Sequence, residues 1–256
     1  MITHATPDGW QIIYQRAHAL LSGQIALHWR NDQRPKRWME TLAAITQHDD
    51  GGLEWEGKDL LTPVGAPRDF TMGSAGTGKP QQAVTHARYQ GRYVALLQSM
   101  HVTALYSGSD DPEMREFLKG QQAYQTRWRK ELGLSKAEAE TCYRLVYLCD
   151  AFSLVLCQRQ LPTDGRQIEV GQGPDGTPYF ARRLPQTDSS DPNAETGEVV
   201  DLTLEPWPFE PDAFEMGIEA TTIKGLTFKT DQALVDAMQN GDISVLTWRL
   251  KKVKTS

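Results

Sequence analysis

Polar and apolar positions repeat with the period of a helix over the first 160 residues and with the period of a strand after them. Residues 16–30 place His18, Leu21, Ser22 and Ile25 along one side of a helix. A second helix is predicted from Pro35, a residue suited to a first turn, to Asp49. Its stripe is Trp38, Leu42, Ile45 and Asp49, and Gly51-Gly52 would end it as a left-handed cap. Residues 51–79 hold no sustained period and read as a long loop. A long helix over 80–106 carries Ala83, Ala87, Gln90, Val94, Leu97, His101 and Leu105 on one stripe, with Gly91 as a point of bending. Asp111-Pro112 supplies an N-cap and a first-position proline for a helix reaching residue 132. Ser135-Lys136-Ala137-Glu138 spells a capping box for a helix reaching residue 157.

Past Leu161 the alternation is that of strands. Residues 167–172 and 179–184 flank Gly173-Pro174-Asp175-Gly176 as a hairpin. Val200, Leu202 and Leu204 alternate with polar residues, as do Phe214, Met216, Ile218 and Ala220, and then Leu246, Trp248 and Leu250. A short helix over 231–239 interrupts them, and residues 1–15 read as a short strand or lead-in. The expected fold is α+β: an all-α domain over 1–160, then a small, mainly antiparallel β domain over 161–256.

Charge and composition narrow the function. A net charge of −6 speaks against a nucleic-acid duplex as partner, because phosphate-backbone binding needs clustered Lys and Arg. No apolar run reaches the length of a membrane span, and the first residues lack the pattern of a secretory signal, so a cytoplasmic protein without a membrane partner is expected. Cys142, Cys149 and Cys157 fall on one helix, which suits reduced, buried thiols rather than disulfides.

Two carboxylates stand where a carboxylate is costly. Asp49 shares the apolar stripe of its helix, and Asp150 is the sole charge between Leu145 and Cys157. A buried ionised carboxylate needs a proton donor, an ion partner or a metal. His18 and His48 lie on helix-patterned segments able to meet them, and nitrogen with carboxylate oxygen suits a divalent transition metal such as manganese, iron or zinc. Helix rise separates His18 from His28 by about 15 Å and His86 from His101 by about 22 Å, so neither pair binds one ion on a straight helix. His101, set in an apolar stripe, is preferred over His86. A purely structural His–Asp network is the competing reading.

This pattern resembles the HD-domain superfamily of metal-dependent phosphohydrolases over about residues 10–160. His18 in Arg16-Ala17-His18-Ala19-Leu20 matches the family's first His, His48-Asp49 its His-Asp pair, Gly51 the glycine that follows, and Asp150, with Ser153 after it, the final Asp. The resemblance implies a helical HD-like domain and an ion held by His18, His48, Asp49 and Asp150. It also implies hydrolysis of a nucleotide or another small phosphorylated molecule. His101 would then be a second-metal ligand or a phosphate contact, Asp50 would orient the nucleophile, and Arg88 or Arg92 would meet phosphate oxygens. The lysine that often follows the family's pair is replaced by Gly52, and the Gly-Tyr-Pro signature of the cyclic-di-nucleotide branch is absent. The alternative is a non-catalytic binding or regulatory protein on the same scaffold. The whole chain, with His48-Asp49-Asp50-Gly51, Ser99-Met100-His101 and Pro206-Trp207-Pro208-Phe209, also resembles a bacterial family of unknown function.

Three further signals carry less. Residues 73–80 nearly spell a P-loop, but Pro80 stands where a Ser or Thr would hold magnesium and no strand precedes it. Residues 206–209 read as a sheet corner packed on the helical part. Residues 126–130 read as a solvated helix face whose Trp128 turns inward.

Overall fold

A computed structural model describes residues 1–51, 58–73, 77–185 and 199–253. The chain opens with a hairpin, β1 (Ile2–Thr6) and β2 (Gly9–Ile13). Six helices follow: α1 (Gln15–Leu27), α2 (Trp38–Thr46), α3 (Gly78–Gln90), α4 (Arg92–Tyr106), α5 (Pro112–Leu132) and α6 (Lys136–Cys157). The remainder is β3 (Gln167–Gln172), β4 (Pro178–Arg183), β5 (Val200–Glu205), β6 (Ala213–Lys224), α7 (Asp231–Gln239) and β7 (Asp242–Lys251). The fold is α+β: an opening hairpin, a helical part, and then a β region that holds α7.

All seven strands form one sheet in the order β1-β2-β6-β7-β5-β4-β3. Every neighbouring pair is antiparallel except β5 with β7. The opening hairpin belongs to this sheet, because β2 pairs with β6. The expected change at residue 160 is a change of secondary structure across which one core is continuous. Leu21, Ile25 and Trp29 share a cluster with Leu145, Phe152 and Leu156 and with Leu202, Met216 and Leu250 of the strands. Successive strand residues face opposite ways. Ile13 therefore joins this core, while Ile12 turns to the other face, where Leu234, Val235 and Met238 of α7 cover it.

Local signals explain most element ends. Asp111 accepts from the Glu113 amide at 2.9 Å, and Ser135 and Glu138 close the capping box. Gly91, at φ 133°, replaces the expected bend with a break between α3 and α4. The second helix is shorter than its stripe suggests. It ends at Thr46, with Gln47 as C-cap, so His48 and Asp49 lie in the turn that follows. Gly51 is not in the left-handed region, and Gly52 lies outside the described residues. What Gly51 needs is space: a Cβ there would sit 2.6 Å from the Lys79 carbonyl oxygen. Gly23 serves similarly, since its added Cβ would lie 2.3 Å from Thr46 Cγ2. That close approach draws the end of α2 against α1.

The corner expected at 206–209 packs as foreseen. Trp29 bridges to Phe209, and their rings are 5.9 Å apart. Trp128 is buried. Part of the near-P-loop lies outside the described residues, and its Lys79 and Pro80 sit in the first turn of α3. The three cysteines are free thiols, and no described helix is long and apolar enough to cross a membrane.

Candidate metal centre

Asp150, in the middle of α6, is surrounded by Leu148, Cys149, Phe152 and Ser153, all buried like itself. Three histidines converge on it. His48 Nε2 lies 3.1 Å from Asp150 Oδ1, and His18 Nε2 lies 3.7 Å from the same oxygen. His101 Nε2, from α4, lies 3.8 Å from the other oxygen, Oδ2. Asp49 closes the group: its Oδ2 is 2.8 Å from His18 Nε2 and 3.7 Å from His48 Nε2. The two Nε2 atoms of His18 and His48 are 3.1 Å apart.

Surrounding groups fix which nitrogen of each ring faces inward. His48 Nδ1 donates to the Ile45 carbonyl at 2.7 Å, a bond a carbonyl can only accept. Ser153 Oγ donates to the Asp150 carbonyl at 2.9 Å, so it accepts from His18 Nδ1 at 2.6 Å. Ser22 Oγ, one turn along α1, supports Ser153 at 2.8 Å. With each neutral ring's proton on Nδ1, both Nε2 lone pairs point at each other and at two carboxylates. Four acceptors facing one another repel unless a cation or protons stand between them. His101 Nε2 has the same need, being fully buried without a hydrogen-bond partner.

This donor set could hold a metal ion. Ligands about 2.1 Å from one ion lie about 3.0 Å apart at a right angle and about 3.4 Å apart in a tetrahedron. The separations here, 2.8–3.8 Å, bracket these values. Two overlapping groups, His18 with His48 and Asp49, and His48 with His101 and Asp150, are each close enough to hold an ion.

Proton equilibria carry the same imprint. Burial disfavours charge on His48, but the Asp150 and Asp49 carboxylates outweigh it and push the pKa up to about 9. Burial likewise opposes the two carboxylates, yet His48 and the neighbouring imidazoles hold both below the usual carboxylate range. For His101 burial wins, and the pKa falls to about 4 despite Asp150. Tyr143 Oη, 3.5 Å from His101 Nδ1, is pushed upward by burial and stays protonated.

Among the five residues of the centre, exposure to water is concentrated on Asp49. The side chain of Asp49 is 24% exposed, whereas those of His18, His48 and His101 are 1% exposed and that of Asp150 5%. Gln15 Nε2 holds Asp49 Oδ2 at 3.0 Å, and Gln98 Nε2 holds the His48 carbonyl from α4 at 2.5 Å.

This geometry came with a family. The model of the family described as protein of unknown function (DUF3891) matches residues 1–225. The chain belongs to the DUF3891 family. No curated protein and no solved structure matches it.

In this DUF3891 chain the five residues expected near an ion, His18, His48, Asp49, His101 and Asp150, are brought together. Asp50 is not turned into the group: its carboxylate pairs with Arg16. His28 stacks on Phe214 at 3.8 Å, and His86 lies outside the centre, its Nδ1 bonded to the Asp50 carbonyl at 3.0 Å. Arg88 stands over Tyr124, and Arg92 pairs with Glu131 at 3.1 Å, so neither contacts the centre. Gln15 and Gln98 were not foreseen. Gln98, a polar residue inside the apolar run before His101, carried a signal; Gln15 carried none.

Ser153→Ala removes the acceptor that orients His18. Groups of this kind hold 10–100-fold in metal affinity. A loss of about that size is expected by competitive chelator titration, with the fold unchanged by circular dichroism.

Proposed function

We propose that the protein is a metal-dependent phosphohydrolase of the HD type, acting on a small phosphorylated molecule such as a nucleotide. The observation that supports this most is the convergence of His18, His48, Asp49 and Asp150 from three parts of the fold. Their inward atoms are all acceptors, and their exposure to solvent is concentrated on Asp49. Imidazole and carboxylate donors together suit manganese, iron or zinc. When bound, such an ion polarises a phosphoryl oxygen and lowers the pKa of water.

The chain's own residues do the rest. Ser153 and the Ile45 carbonyl keep His18 and His48 in the ligating tautomer. Gln15 steadies Asp49 at the open side. Tyr143 and the apolar wall of α6 keep water out from behind.

The test joins two measurements on protein purified without chelator. Elemental analysis is expected to find manganese, iron or zinc at about one ion per chain. Turnover of p-nitrophenyl phosphate and nucleoside monophosphates is expected to depend on that metal and to vanish in His48→Ala. Metal retention with no turnover of any phosphate ester would support the binding or regulatory alternative. Absence of metal would sink both the centre and the reaction.

A further inference from the structure

The open side of the centre carries one cationic side chain whose charge the ligand set does not use. Arg16 lies two residues before His18, in the first turn of α1, and is about half exposed. Its guanidinium is paired with the carboxylate of Asp50, the residue after Asp49. Among the described residues no other Lys or Arg forms an ion pair with residues 48–51. Gln15, the chain neighbour of Arg16, bonds Asp49 Oδ2, and Asp50 follows Asp49, the one carboxylate of the centre that is partly exposed.

We propose that Arg16 anchors the anionic group of the substrate, and that Asp50 fills this anchor's place as a stand-in when no substrate is bound. This rests on the reading of the centre as a phosphohydrolase, which makes the anion a phosphate.

Three observations carry the idea. First, the Asp50 backbone is held, and besides Arg16 the only charged partner of its carboxylate among the described residues is His86, whose Nδ1 lies 4.0 Å from Oδ2. The amide donates to the Gln47 carbonyl at 3.0 Å, the carbonyl accepts from His86 Nδ1 at 3.0 Å, and Gly51 is wedged against Lys79. The side chain can therefore swing aside without moving Asp49. Second, an ion pair this exposed is weak, so it yields to a stronger anion. Third, a guanidinium presents a planar fork that matches two phosphate oxygens, and a phosphate carries more charge than the carboxylate it displaces. The role expected for Asp50, orienting a nucleophile, is thereby exchanged for occupancy of the substrate's charge site.

The experiment is titration calorimetry of inorganic phosphate into full-length, zinc-loaded protein, with zinc content measured for each variant. Asp50→Ala is expected to bind phosphate at least about 5-fold more tightly than wild type, since the competitor is gone. Arg16→Ala is expected to bind it at least about 10-fold more weakly, and Arg16→Lys to fall between. Zinc content is expected to be equal in all four proteins. Arg16 is about half exposed and Asp50 partly exposed, and thermal melts verify that the variants fold. Unchanged or weaker phosphate binding in Asp50→Ala overturns the proposal, as does unchanged binding in Arg16→Ala. Failure of the phosphohydrolase reading is distinct: it appears as phosphate binding with this variant pattern but no turnover of p-nitrophenyl phosphate.

Discussion

Asp150→Ala is expected to strip the protein of bound metal, lowering its affinity by well over about 100-fold, beyond what loss of a supporting group costs. Asp150 is the only acid on its stretch of α6, and its two oxygens face different histidines: Oδ1 toward His48 and His18, Oδ2 toward His101. No described neighbour can replace it. The damage extends to the metal-free protein. His48 owes its raised pKa to Asp150 before Asp49, with burial opposing both. Removing one partner of a buried charge pair costs about 3–5 kcal/mol. The variant is therefore expected to be metal-poor and also less stable in chelator than the wild type in chelator. Elemental analysis and denaturant melts measure the two losses separately. Wild-type metal content in Asp150→Ala would remove Asp150 from the centre.

In chelator the wild type is expected to lose stability as pH rises from 6.5 to 9, and a divalent transition metal is expected to cancel that loss. The direction follows from the folded-state shifts. His48 is raised from 6.5 to about 9, so its contribution is complete below 6.5 and disappears as pH climbs through about 9. Asp49 and Asp150 are lowered, so their contributions are present above the ordinary carboxylate range and disappear only in strong acid. His101 is lowered to about 4, so burying it neutral costs stability as pH falls below 6.5, and the metal-free protein should thus melt highest near about pH 6.5. The alkaline loss is on the order of 3 kcal/mol. A metal held by His18 and His48 would take the place of the departing proton, and would bind more tightly as protons leave. Thermal midpoints across this range, with chelator and with added zinc, measure the effect. An alkaline decline of equal size in both would contradict it.

The elements of this fold were legible wherever the signal was local. The capping box at Ser135, the Asp111-Pro112 start and the 173–176 turn all depend on neighbours within a few residues. Asp150 and His101 were legible for another reason: each interrupts an apolar stripe where an unpartnered polar group is costly. His48 and Asp49 were found, but on the wrong element. The stripe from Trp38 to Asp49 imitates a helix past its real end at Thr46, and what ends α2 there is close contact with Gly23 of α1. The pairing of β2 with β6 was not legible, because alternation marks a strand but does not name its neighbour. Arg16 escaped notice as a functional residue because its meaning comes from Asp50, thirty-four residues away.

The union of β2 with β6 also bears on how the protein comes to be made. His18 stands on a helix that begins two residues after β2, and β2 hydrogen-bonds to residues 221–224. As a nascent chain leaves the ribosome, the opening hairpin must wait for a partner more than two hundred residues behind it. Long-range pairing of this sort is slow to form. The histidines and aspartates are all synthesised by residue 150, but the sheet that seats the first of them is complete only once β7, ending at Lys251, has been made. Any metal the centre holds would thus be seated only after β7 has been made.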